Sequence, residues 1–377
     1  MGRMERDAVP APLVFLLALL VVAVPAAADE VADFYKGRNI QVVVGYGPGG
    51  GNDVYARLLA RHMGRHIPGT PGIVVQNMPG AGSLVAANHL ASVAPKDGTA
   101  IGTFARNLPL ASVVGGNPNI RFDARQLTWL GSASSYRDDA YILWVRPQSK
   151  VRSIADARRD GGDPLVLAGT SEGDTSYDVP VLLRQVVGLN IKLIGGYRDS
   201  NGMFQAIEGG EVDGRVADLS SVASSRAHWL NPGAMLTLLQ FGRPTRHKDY
   251  ANVPTARELA RHESERSLIE MMEAPFALTR PYAGPAGIPA ARAKALQTAF
   301  LAVQKDPAYV EEATRLKLDI SPIGPEAVVA LLNLIAVAPE VLKADVRRFV
   351  GASGALSRLA SWRRPIVAGL RRRGWLR

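Results

Sequence analysis

The stretch Val42-Val43-Val44-Gly45-Tyr46-Gly47-Pro48-Gly49-Gly50-Gly51-Asn52-Asp53 has the residue types and order of an anion seat. Three β-branched residues read as a buried strand and the glycines as a loop. Val54 to His66 then reads as a helix, with Val54, Tyr55, Leu58, Leu59 and Met63 on a helical period. A glycine loop between a strand and a helix leaves N–H groups free at the helix's positive end, where a small anion is favoured. A second copy of the device follows. Gln76-Asn77-Met78-Pro79-Gly80-Ala81-Gly82-Ser83 leads into a helical stretch Leu84–Ala94.

Three other groupings could carry different chemistry. Gly45-x-Gly47-x-x-Gly50 matches the dinucleotide fingerprint, but that motif needs an acid about 20 residues on to hold a ribose. No Asp or Glu occurs between Asp53 and Asp97, so no nucleotide cofactor is expected. Gly169-Thr170-Ser171-Glu172-Gly173 matches G-x-S-x-G between a strand and a helix, the place of a hydrolase nucleophile. Asp213, Asp218, His228 and His247 follow in a permitted order, so an exported serine hydrolase using Ser171 is the rival reading. The plainer one is that Ser171, Asp174 and Thr175 cap the next helix and offer hydroxyls to a ligand. His62 and His66 share a helix face but lack the Glu of H-E-x-x-H and stand beside Arg61 and Arg65. That face reads as solvated and basic, and no metal site is expected.

The elements that must position these loops alternate. Strands are expected at Ile40–Val44, Ile73–Val75 and Ile101–Phe104, each followed by a helix or turn, which predicts a mainly parallel sheet with helices on both faces. A second series predicts strands at Ala140–Val145, Leu165–Ala168, Ile191–Ile194 and Val212–Ala217, with helices near Ser153–Arg159, Tyr177–Val187 and Met203–Glu208. Met235–Gln240 reads as a strand returning to the first series, and Ala256–Val350 as largely helical. The expected organisation is α/β and two-lobed. Residues 29–133 and 240–353 form a first lobe, and residues 134–239 form a second lobe inserted into it. Ligands of such sheets sit at the carboxyl ends of the strands, where the glycine loops are.

Composition narrows the class. The 377 residues have room for two cores of ordinary size. Residues 1–28 pair Arg3 and Arg6 with an apolar run from Leu13 to Val24 and end in Ala26-Ala27-Ala28, which reads as a secretory signal peptide. The mature chain is then expected in the periplasm of a bacterial cell. With no cysteine, disulfides and thiolate chemistry are excluded. Seven charges of the net +10 belong to residues 354–377, which hold seven arginines and no acid. The body is therefore nearly balanced, and a nucleic-acid partner is not expected. The tail, with Trp362 and Trp375, has the composition of a weak contact for anionic lipid or of a solvated, disordered end.

Taken together, the loops resemble those of the Bug family, the substrate-binding proteins of tripartite tricarboxylate transporters. The resemblance rests on Tyr46-Gly47-Pro48-Gly49-Gly50-Gly51-Asn52-Asp53 with Ala56-Arg57, and on Asn77-Met78-Pro79-Gly80-Ala81-Gly82. Pro95-Lys96-Asp97-Gly98, Gly195-Gly196-Tyr197, Gly209-Gly210-Glu211-Val212-Asp213 and Pro254-Thr255 extend it over residues 33–350. It implies a non-enzymatic, type II-like binding protein, a monomer that closes on a small organic carboxylate and delivers it to integral permease subunits. It also implies a site. One carboxylate would meet Tyr46, Gly49, Gly50, Gly51, Asn52 and Asp53 together with Gly80, Ala81, Gly82 and Ser83. The far end would meet Thr170, Ser171, Gly173, Asp174 and Thr175, with Tyr197, Asp218 and Arg106 nearby. Two positions depart from the family pattern: Asp178 stands where a His is usual, and Tyr197-Arg198-Asp199 replaces Tyr-Lys-Gly. An acid at the distal end would disfavour a second ligand carboxylate unless Arg198 or Arg106 offsets it.

Overall fold

Alternation of apolar side chains along the strands decides how the layers stack. In the strand Tyr141–Val145, Tyr141, Leu143 and Val145 belong to one core, while Ile142 and Trp144 belong to the core on the opposite face. Every residue of this strand is buried, as expected of a strand covered by helices on both sides. In the first strand alternate residues Ile40, Val42 and Val44 enter one core with Tyr55, Leu58, Leu59 and Phe300, while Asn39 is exposed and Gln41 half-buried. Each such side chain contributes about 1.5–3 kcal/mol when fully buried.

The structure is a computed structural model and describes residues 27–135 and 139–350. Ten strands run in chain order: β1 Asn39–Val44, β2 Gly72–Asn77, β3 Ala100–Thr103, β4 Thr128–Ser132 and β5 Tyr141–Val145, then β6 Leu165–Ala168, β7 Ile191–Ile194, β8 Gly214–Asp218, β9 Leu236–Phe241 and β10 Pro281–Gly284. They form two five-stranded sheets of the same design, β2-β1-β3-β10-β4 and β7-β6-β8-β5-β9. In each sheet the first three strands are parallel and the fourth runs against both of its neighbours. Each sheet with its covering helices forms a lobe, and the architecture is α/β with two mixed sheets, in each of which two pairings are parallel and two antiparallel, fewer parallel ones than expected.

Three local expectations need correction. The strand Leu236–Phe241 does not return to the first sheet. It pairs antiparallel with β5, Tyr141 opposite Phe241 and Ile142 opposite Gln240, as the edge of the second. The strand that does enter the first sheet is Pro281–Gly284, inside the stretch read as largely helical, and it pairs with both β3 and β4. The short leader before β1 is a helix, Ala27–Tyr35. The signal peptide expected over 1–28 lies outside the described residues up to residue 26, and the tail 354–377 lies outside them entirely.

The cores do not follow the order of the chain. Leu110, Ala111 and Val114, from the helix Asn107–Val114 that follows β3, are buried with Leu143 and Leu167 of the second sheet and with Leu182 of a helix that covers it. Ile335, Leu342 and Val346, from the last two helices, join the same core.

Candidate functional site

The loop after β1 is braced from within. Asp53, buried in the first turn of the helix Gly51–Met63, accepts hydrogen bonds from the Gly49 amide, Arg57 Nε and Asn77 Nδ2, each at 2.8 Å. Burial pushes its carboxyl up, but Arg57, the Gly49 amide and Asn77 outweigh it and hold the group below its usual range. Asp53 is thus committed to shaping the loop. Gly50, Gly51 and Asn52 open the helix beside it. A Cβ on Gly47 would lie 2.2 Å from Asp199 Oδ2, so glycine there lets the second lobe close onto the loop.

The second loop is strained. Gly80, Ala81, Gly82 and Ser83 have φ of 150, 45, 60 and 77°, four successive positive values of which two fall on non-glycine residues. Each non-glycine residue of this kind costs about 1–3 kcal/mol and persists only where its surroundings enforce it. Ser83 is held because its buried hydroxyl accepts the Ala105 amide at 3.1 Å. On the other side, Ser171 Oγ and Glu172 O each lie 2.9 Å from where a Cβ on Gly82 would stand, so the two lobes touch at this point.

Opposite these loops the second lobe presents two turns at the carboxyl ends of β6 and β7. Asp174 caps the helix Thr175–Leu182, its Oδ1 accepting from the Ser176 amide at 2.8 Å, and buried Thr175 opens that helix. The Gly173 amide is taken by Asp178 Oδ1 at 3.0 Å. Ser171 differs from its neighbours, because its Oγ is buried and has no hydrogen-bond partner. A buried hydroxyl without a partner costs about 1–3 kcal/mol unless something else satisfies it.

Between the lobes lies a cavity of about 180 Å³. Gly45, Tyr46 and Pro79 to Ser83 form its first-lobe wall, and Thr170, Ser171, Gly196, Tyr197 and Arg198 form the other. The structure therefore brings together Tyr46, Gly80, Ala81, Gly82, Ser83, Thr170, Ser171 and Tyr197 from the expected set. Gly49, Gly50, Gly51, Asn52, Asp53, Arg106, Gly173, Asp174, Thr175 and Asp218 are not on that wall. Asp53, Asp174 and Asp218 instead hold the loop, a helix start and the tie between the lobes. Tyr46 donates its hydroxyl to Asp174 Oδ2 across the cleft at 2.7 Å. Burial first, and then Asp174, push the Tyr46 phenol far above its usual range, so it remains a donor.

A buried charge network forms a second tie. Asp218 caps the helix Leu219–Ser225 and accepts from Arg280 Nη2 of β10's approach at 2.7 Å. Arg106 Nη2 lies 3.9 Å from its other oxygen, with its guanidinium over Phe276 and Tyr141 at 4.9 and 5.3 Å from the ring centres. Burial disfavours the Asp218 carboxylate, but Arg280 and Arg106 outweigh it and hold the group well below the usual range.

Neither of the two departing acids lines the cavity. Asp199 caps the helix Ser200–Glu208. Asp178 is fully buried and accepts from Asn107 Nδ2 at 2.8 Å. Burial pushes its carboxyl up to about 8 against the pull of Asn107 and the Gly173 amide, so it is largely uncharged at neutral pH. The formal charge that does reach the wall is Arg198.

The hydrolase constellation does not assemble. Ser171 Oγ has no hydrogen-bond partner to act as base. His228 lies on the surface against Glu208 at 3.4 Å, and Asp213 faces Arg146. His62 and His66 contact Glu312 and Asp306 at 2.6 and 2.7 Å, and among the described residues there is no group of side chains placed to hold a metal. Sequence reasoning missed Gly45, Pro79, Gly196 and the buried Arg280. Arg280 could not be read as part of the site while the segment after it was read as a turn in a largely helical stretch.

Two similar α/β lobes, tied across a small cavity at the carboxyl ends of their strands, define a two-lobed solute-binding protein. The family described as the tripartite tricarboxylate transporter family receptor matches residues 55–329, and the chain belongs to it. The family is one of receptors and not of enzymes. Protein BugT of Bordetella pertussis is 29% identical over 253 residues, covering 66% of this chain and 73% of BugT. The structure of the periplasmic binding protein BugD superposes with a TM-score of 0.65 at 19% identity, covering 84% of this chain and 99% of BugD. MatC of Rhodopseudomonas palustris, with bound malate, gives 0.61 at 19% identity, covering 81% of this chain and 99% of that one.

Proposed function

We propose that the protein is a periplasmic receptor that captures a small organic carboxylate between its lobes and delivers it to the integral subunits of a tripartite tricarboxylate-type transporter. The observation that carries this reading is Ser171 Oγ, a buried donor without a protein partner on the cavity wall, close against the strained loop Gly80–Ser83. A carboxylate oxygen satisfies such a hydroxyl, and helix starts and loop amides add favourable interaction without an ion pair. The bound malate of MatC supports the ligand class. The leader-like residues 1–28 support export. Closure is a hinge motion, favoured by a ligand that contacts both lobes at once.

Calorimetric titration of the mature chain with mono-, di-, tri- and aromatic carboxylates tests the proposal. Saturable binding of one class is expected, weakened about 3- to 10-fold by Ser171→Ala through the loss of one hydrogen bond. A flat response to every carboxylate, or ester hydrolysis abolished by Ser171→Ala, overturns it.

A further inference from the structure

A second cavity, of about 650 Å³, lies elsewhere on the boundary between the lobes and shares no residue with the first. One wall belongs to the second lobe, with Asp139 ahead of β5, Ser220 on the helix Leu219–Ser225, and Leu230 and Asp249 beyond it. The other belongs to the first lobe, with Val310 on the helix Pro307–Arg315 and Lys317 to Ile320 after it. Asp139, Ser220 and Leu318 are buried, while Leu230, Asp249, Val310 and Lys317 are exposed. The cavity thus has a buried floor and an open rim.

Its charge is unbalanced. Asp139, Asp249 and Asp319 line it against the single cation Lys317. Among the described residues no basic nitrogen lies within 4.0 Å of the Asp139 or Asp319 carboxyl, and Asp249 has His247 at 3.8 Å. Hydroxyls serve instead. Ser220 Oγ lies 2.6 Å from Asp139 Oδ2, and Ser321 Oγ donates to Asp319 Oδ2 at 2.7 Å. Ser220 Oγ also lies 3.0 Å from Asp218 Oδ1, and one hydroxyl proton cannot serve two carboxylates at once. A buried carboxyl without a cation is costly, and an arriving ammonium or guanidinium relieves that cost.

Aliphatic side chains define the rest of the surface. Val310 is 39% and Leu230 36% exposed, on opposite walls, and half-buried Leu219 and Ile320 also line the cavity. Acids and aliphatic residues spread over two walls and an open rim complement a chain segment that alternates the same two characters.

We propose that this cavity is a docking site for a basic, aliphatic segment of a partner protein. Its Lys or Arg side chains reach Asp139 and Asp319, and its aliphatic ones pack against Leu230 and Val310. The inference rests on this second cavity and not on the carboxylate reading. Because the two walls belong to different lobes, a docked segment favours the lobes as they stand here.

Calorimetric titration of the mature chain with the peptide acetyl-Leu-Arg-Leu-Arg-Leu-amide tests this. Saturable binding is expected, about tenfold or more tighter than that of acetyl-Leu-Gln-Leu-Gln-Leu-amide. Asp249→Asn with Asp319→Asn should weaken it by about tenfold. Leu230→Ser with Val310→Ser, changes at the exposed rim, should weaken it by about 3- to 10-fold. Asp160→Asn, exposed and outside the cavity, should leave it unchanged. An unchanged melting temperature shows that each variant is folded. No saturation, equal binding of the glutamine peptide, or cavity variants that bind like the parent chain overturns the proposal. Displacement of the peptide by an equal concentration of 1,4-diaminobutane makes the cavity a small-cation site and overturns it. A dimer of the parent chain that Asp249→Asn dissociates gives the cavity to a second copy and overturns it equally.

Discussion

Tyr46 in the first lobe and Asp174 in the second are joined by a 2.7 Å hydrogen bond from one lobe to the other. Neither residue is spare. Tyr46 lines the cavity, and Asp174 caps the helix whose preceding turn carries Ser171. The bond therefore couples the position of the cavity wall to the closure of the lobes.

Tyr46→Phe keeps the ring and removes the tie. A hydrogen bond to a charged group contributes about 1.5–3 kcal/mol. Because the bond exists only when the lobes meet, its loss should fall on the closing equilibrium and weaken carboxylate binding by about 10- to 100-fold. Small-angle scattering of the variant without ligand should report a larger radius of gyration than the parent. Unchanged affinity and radius would show that this bond has no part in closure.

Arg280 and Asp218 are both buried, so removing one strands the other. Arg280→Ala should cost about 3–5 kcal/mol of stability, read as a lower urea midpoint, because the Asp218 carboxylate keeps its hydrogen bonds from Ser220 and Ser221 but loses its near cation, with Arg106 more distant. The double change Arg280→Met with Asp218→Asn should recover much of that loss. If the double variant is as weak as the single one, the penalty does not come from a stranded charge.

Asp178 makes stability depend on pH in an unusual direction. Its folded carboxyl titrates at about 8, against an unfolded value near 4, so the unfolded chain ionises first as pH rises. The contribution of this group is fully present below about pH 4 and is lost progressively up to about pH 8. Asp178→Asn cannot ionise. Its amide can donate to Asn107 Oδ1, which has no partner in the parent chain. The difference in melting temperature, variant minus parent, should therefore grow between about pH 4 and pH 8. A difference that stays constant across that window would show that the carboxyl titrates normally in the folded state.

The loop-bearing half of each lobe was legible because its signals are local. Val42-Val43-Val44 ahead of five glycines announces strand, turn and helix within a dozen residues, and the strand at Leu165–Ala168 stands where the pattern puts it. Pairing is not local. Leu236–Phe241 has the pattern of a strand, but an edge strand fits either sheet, and only its register with Tyr141–Val145 decides. Pro281-Tyr282-Ala283-Gly284 begins with proline and ends with glycine, so it reads as a turn until two neighbours pair with it. The same limit applied to the site. Asp53 closes a glycine loop and so looks like a ligand contact, whereas its partner Asn77 comes from the end of the next strand. Arg280 became visible only when the strand it leads into was placed between β3 and β4.

The shared core has a mechanical consequence. Leu110, Ala111 and Val114 leave the first sheet's sequence to pack under the second, and Ile335, Leu342 and Val346 do the same from the far end of the chain. Heat cannot loosen the second sheet without uncovering those side chains, nor release the final helices without opening the second sheet's floor. The two halves therefore melt as one cooperative unit, and neither is a module that could be excised or exchanged by cutting the chain between its sheets.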